Sequence, residues 1–128
     1  MNKTICLSGI LFGMLSVIIG AFGAHGLEKV LNAEALQTFE TGVKYQMYHA
    51  LLLILVSVIP KISAKAKKAI FWLLLIGIIF FSFSIYFLAT NDLTAFDFKT
   101  IGFVTPIGGS LLIAAWGVFG YHVYKSFD

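Results

Sequence analysis

Residues 4–24, TICLSGILFGMLSVIIGAFGA, carry no charged side chain. A helix needs about 20 apolar residues to cross the hydrocarbon core of a bilayer. Inside lipid a lone segment satisfies its backbone polar groups only as a helix. Three more runs follow at 41–59, 69–89 and 101–124. The second is short, 45–59, and reaches spanning length only by borrowing 41–44. No plausible strand lies between the runs. The expected fold is all-α, an integral membrane four-helix bundle that occupies 1–128 as a single domain.

Composition supports that setting. Of 128 residues, 59% are hydrophobic and 12% charged, against about 25% charged in soluble domains. A chain of this length leaves too much surface outside its own core for water to be the only solvent, so membrane lipids are the expected surroundings. All nine basic residues are lysine. Without an arginine fork, and with four lysines in one short loop, no nucleic-acid partner is expected. The lone Cys6 excludes an intrachain disulfide and a cysteine metal cluster. The first run exceeds the apolar stretch of a signal peptide, about 7–15 residues, so an uncleaved first helix is expected.

Lysines near helix ends set orientation. Six fall on the side of the N-terminus, the loop PKISAKAKK and the C-terminus, and three on the other. Both termini are therefore expected in the cytoplasm, in a multi-pass protein of the plasma (inner) membrane. The first connection is patterned: from Asn32, an N-cap residue, Ala35, Leu36, Phe39 and Val43 share one helical face and Glu34, Gln37, Glu40, Thr41 and Lys44 the other. This predicts a short extracytoplasmic amphipathic helix, either lying at the interface or leading into the second span.

Helix association within lipid relies on small residues and close approach. The first span offers Gly9, Gly13, Ser16, Gly20 and Ala24, and the fourth Gly108, Gly109, Ala114, Gly117 and Gly120. These two spans are expected to supply the close contacts, leaving the bulky third span, with Phe71, Trp72, Phe80, Phe81, Phe83 and Phe87, to face lipid or another subunit. Pro106 predicts a helix start or a kink. A broken helix exposing carbonyls to a ligand is the sharper alternative.

The candidate polar site comes from KYQMYHA at 44–50. Tyr45 and His49 stand four apart and Gln46 and His49 three apart, spacings at which helical side chains meet. An ionisable group one turn inside an apolar run is a functional candidate because leaving it unpaired there is costly. The plainer reading is a neutral imidazole that fixes helix register. His25, at the end of the first span, is expected near His49 at the outer interface, with Glu40 and Glu28 nearby. No HxxxH or HxxE spacing occurs within one element, so neither a metal nor a cofactor is expected. Nor is there a GxSxG elbow, a Walker loop or an HExxH motif, and no carboxylate lies mid-span.

GAFGAHGL at the end of the first span, the text from Phe39 to Leu53, and TPIGGSLLIAAW from Thr105 to Trp116 resemble, in order and spacing across essentially the whole chain, the small membrane proteins of domain of unknown function 423. That family is also labelled an uncharacterised inner-membrane family and is similar to eukaryotic transmembrane protein 256. In the third span GIIFFSFSIY only partly matches the family's Gly-Ser pattern, with Phe83 at a glycine position. The resemblance implies a four-helix plasma-membrane protein with no established reaction, substrate or cofactor. It makes His25, Tyr45, Gln46, His49, Thr105, Pro106, Gly108 and Gly109 motif positions. The expected function is non-enzymatic: a packing module that self-associates as a homo-oligomer or serves as a subunit beside other membrane proteins. The alternatives are a small transporter or channel with a polar vestibule around His49, and a histidine-based metal-dependent factor.

Overall fold

A computed structural model describes residues 1–128, and the chain is helical with short connections. Helix α1 spans Asn2–His25, α2 Ala33–Val58, α3 Ala64–Ile78, α4 Ser84–Ala89 and α5 Val104–Ser126. A π-helical turn, Ile79–Phe83, joins α3 to α4 so that the two form one bent rod. Three helical stretches are long and apolar enough to cross a membrane: Asn2–Lys29, Ala64–Ala89 and Phe98–Ser126. Only 32 of the 128 residues are buried, and large apolar side chains such as Leu7, Val17, Trp72 and Ile113 cover the outside. That is the surface of a protein solvated by hydrocarbon.

The amphipathic segment does not form a helix of its own. Asn32 caps it, its Oδ1 accepting from the Ala35 amide at 2.7 Å, and the helix then continues through the apolar run to Val58. Nothing interrupts it, because Gly42 is enclosed by Tyr86 and Ile85 and stays helical. The third rod likewise begins earlier than its apolar run. Ser63 Oγ accepts from the Ala66 amide and starts α3 at Ala64, which draws Lys65, Lys67 and Lys68 into helix. Lys67 is buried, not solvated, and its ammonium donates to the Ser57 carbonyl at 3.1 Å. It thereby caps the C-terminal end of α2, where the helix dipole favours a cation.

The rods pack as two hairpins. α1 lies along α2, with Gly9 against Ala50 and Leu53, Gly13 facing Met47 and Ala50, Gly20 against Val43, and Gly23 against Phe39. The α3–α4 rod lies along α5, Gly77 receiving Leu112 and Gly108 the backbone at Phe80–Phe81. Two expectations about packing fail here. Gly117 and Gly120 have no atom within 4 Å of where a Cβ would stand, because the face of α5 that carries them points away from the bundle. The third rod is the most buried of the three apolar stretches. Its Ile70, Phe71, Leu74 and Ile78 anchor the main core with Ile5, Leu53 and Ala115, since a rod touching both α2 and α5 has little surface left for lipid.

The π turn answers to a contact with α5. Gly108 brings α5 against the backbone at Phe80–Phe81, and widening the helix there releases carbonyls that lipid cannot satisfy. The Ser84 hydroxyl covers the Phe80 and Phe81 carbonyls and pairs with the Thr105 hydroxyl. Ser82 Oγ donates across to the Gly42 carbonyl at 2.8 Å. Close packing is thus achieved with Phe83 where the family pattern has glycine. Pro106 sits in the first turn of α5, a position where its missing amide leaves no intrahelical bond unmade. No broken helix forms.

Candidate functional site

The polar residues of KYQMYHA diverge. On α2, Gln46 and His49 lie about 60° apart around the axis, enough to send them to different neighbours. Gln46 is fully buried and points to α1 and α4. Its Nε2 donates to the Phe12 carbonyl at 2.9 Å, and its Oε1 accepts from the Tyr86 hydroxyl at 2.6 Å. Ser16 Oγ adds a second donor to the same Phe12 carbonyl. One amide therefore ties three rods together, with its donor and acceptor ends both used.

His49 turns towards α5. Trp116 Nε1 donates to His49 Nε2 at 3.1 Å, and His49 Nδ1 lies 2.6 Å from the Tyr45 carbonyl. An indole N–H only donates, so Nε2 must present its lone pair, which leaves the proton on Nδ1 to be given to the carbonyl. The ring is a neutral imidazole in one tautomer, with both nitrogens engaged. Tyr45 stacks beside it at 6.2 Å between ring centroids and meets Phe81 at 5.2 Å. The His49–Tyr45 contact expected from spacing is real, but its hydrogen bond goes to the backbone and not to the phenol.

The expected neighbourhood of His25 and His49 does not form. Gly13 faces Met47 and Ala50, so His49 is level with the middle of α1. His25 lies twelve residues further along, about 18 Å at 1.5 Å per residue, and is exposed at the end of α1. Glu40 is exposed about two and a half turns from His49 on α2. No three His, Cys, Asp or Glu side chains converge on a common point. The histidine contact belongs near mid-helix, away from the interface, because α2 begins at Ala33 and carries His49 deeper than the apolar run alone suggests. Thr105 acts through Ser84 at the π turn, as described above, and a Cβ added at Gly109 would meet Phe81 at ordinary van der Waals distance.

Beside His49, α2, the π turn and α5 enclose a recess of about 660 Å³ that opens to the surroundings. Seven of its nine lining residues are hydrophobic, Tyr45 and Tyr48 among them, so its walls are mainly apolar. Sequence reasoning missed Phe12, Tyr86 and Trp116. A carbonyl partner has no side-chain signature, and two aromatics inside apolar runs look like bulk.

The profile of the family described as "Protein of unknown function (DUF423)" matches residues 19–109. A UPF0382 membrane protein of Staphylococcus haemolyticus is 43% identical over 114 residues, covering 89% of both chains. The UPF0382 membrane protein YwdK of Bacillus subtilis is 38% identical over 116 residues, covering 89% of this chain and 90% of the relative. A UPF0382 membrane protein of Haemophilus influenzae is 37% identical over 116 residues, covering 91% and 90%. No solved structure matches the chain. With apolar rods, an apolar exterior and relatives of this kind along most of its length, the chain is a membrane protein and belongs to the DUF423 family, whose biochemical role is not established.

Proposed function

We propose that this chain is a non-enzymatic four-span module of the plasma membrane, with both termini in the cytoplasm, that self-associates or serves as a subunit of a larger membrane assembly. The observation that carries the reading is His49. It is the ionisable group most suited to proton or metal chemistry, and it spends both nitrogens on Tyr45 and Trp116. A ring so engaged fixes the register of α2 against α5. The fourth span in this reading is α2, which lies along α1 from Gly9 to Gly23. The lysine bias supports the orientation.

Replacing His49 with Leu removes the acceptor of the Trp116 N–H. We expect a loss of about 1–2 kcal/mol, read as a lower unfolding midpoint in mild detergent and a shift in oligomer or complex mass by native mass spectrometry. A variant that stays monodisperse and equally stable while losing a solute-transport phenotype would overturn the proposal in favour of a transporter. For topology, in a Cys6→Ser background, Ser126→Cys should resist a membrane-impermeant thiol reagent added to whole cells, while Glu40→Cys should be labelled. The reverse pattern would invert the orientation.

A further inference from the structure

The recess beside His49 is a concave site at mid-helix depth whose walls are mostly rings. Tyr45, Tyr48, His49, Phe81 and Trp116 contribute five of its nine lining residues. The rings form a connected set: Tyr45 meets Tyr48 at 5.6 Å and Phe81 at 5.2 Å, and His49 meets Trp116 edge-on at 6.1 Å. Gly109 lines the recess from α5, where a Cβ would stand 3.4 Å from the Phe81 ring.

What fills such a site is decided by competition with the bilayer. A saturated acyl chain gains nothing from hydrophobic transfer when it leaves lipid for an apolar groove. A selective occupant must offer what acyl chains lack. Rings of this kind favour a flat, polarisable partner stacked or edge-on. The imidazole nitrogens and the indole N–H are already committed inside the protein, which leaves the Tyr45 and Tyr48 hydroxyls as the donors for a ligand. Both side chains are exposed and, like long side chains on any helix, lean towards the N-terminal end of α2, so they stand at one end of the recess. The complementary molecule is planar and conjugated, carries carbonyl acceptors at its rim, and has an apolar tail that remains in the bilayer.

We propose that this recess binds the ring of a lipid-soluble quinone, with its carbonyls accepting from the Tyr45 and Tyr48 hydroxyls and its tail lying in lipid beside α5. The volume of about 660 Å³ lies within the range of small-molecule sites, roughly 300–1,000 Å³. The proposal concerns binding alone and does not depend on the assembly reading.

Trp116 reports on the site directly, because the other tryptophan, Trp72, meets Phe71 edge-on and does not line the recess. In a Trp72→Phe variant in proteoliposomes, a decyl-tailed benzoquinone should quench Trp116 fluorescence saturably, and 1-decanol should not compete. Gly109→Leu, which fills the recess from α5, should abolish the saturable component. Tyr48→Phe, a conservative change at an exposed ring, should weaken binding about two- to tenfold with the unfolding midpoint unchanged. Quenching that is linear in quinone, and equal to that of Trp72 in a Trp116→Phe variant, would overturn the proposal. So would equal displacement by 1-decanol, which would make the recess an acyl-chain groove.

Discussion

Gly108→Ala should destabilise the protein by about 3 kcal/mol, the upper end of the usual cost of overpacking. The added methyl would stand 2.6 Å from the Phe80 carbonyl carbon and 2.8 Å from its Cβ, and nearer still to the Phe81 amide nitrogen. These are mainly backbone atoms held in a π turn, so no side chain can swing aside to relieve the contact. α5 must back away, and the Ser84–Thr105 pair beside the contact would be strained with it. Gly117→Ala is the matched control on the same helix. It has open space around it, and its better helix propensity should leave stability unchanged or raise it by up to about 1 kcal/mol. Unfolding by sodium dodecyl sulfate titration in mixed micelles measures both. If Gly108→Ala unfolds at the wild-type midpoint, α5 does not sit against the π turn.

The second large effect is expected at Gln46. Gln46→Leu keeps volume and helix propensity but deletes the link to Phe12 and strands the Tyr86 hydroxyl. A buried unsatisfied group costs about 1–3 kcal/mol, and interhelical hydrogen bonds within membranes contribute about 0.6 kcal/mol each, reaching about 1.7. A total near 2–3 kcal/mol is expected. Tyr86→Phe should cost less, because Gln46 keeps its bond to Phe12. Once the phenol is gone, Gln46→Leu no longer strands it, so the double variant should fall short of the summed single losses by about 1 kcal/mol. Strict additivity would mean that Gln46 and Tyr86 do not share a bond.

Much of the architecture was legible from hydropathy, and the reasons differ by element. The apolar runs at 4–24 and 101–124 correspond to α1 and α5 within a few residues, because an uncharged run of that length has few other folds open to it. The run at 45–59 marked only the lower part of α2, since the polar half of that helix is written in a different pattern. Asn32 as the cap was readable because capping is a local interaction. The π turn was not, for it answers to Gly108, which lies about 25 residues further along the chain.

The candidate site divides in the same way. That Gln46 and His49 require partners followed from their place among apolar residues. Which partners they take did not, because the choice depends on how α1 and α5 are rotated against α2. His25 was drawn into the site by its position at a helix end, and register alone removes it. Gly117 shows the same limit from the other side. Small residues recur on two faces of α5, and only the three-dimensional packing distinguishes the face that meets the third rod from the face that does not.

The two apolar clusters are unequal. Fifteen residues drawn from every rod form the larger one, whereas Leu27, Phe39, Tyr86 and Ala89 form the smaller, to which α5 contributes nothing. The two clusters lie at opposite ends of the bundle, so the molecule is unevenly packed along its length. It is stiff where Ile62, Ala66 and Phe119 interlock and yielding where α5 emerges past Val104. A change in lateral pressure should therefore be taken up first where α5 begins at Val104, outside the smaller cluster, while the end bearing the two termini holds its spacing.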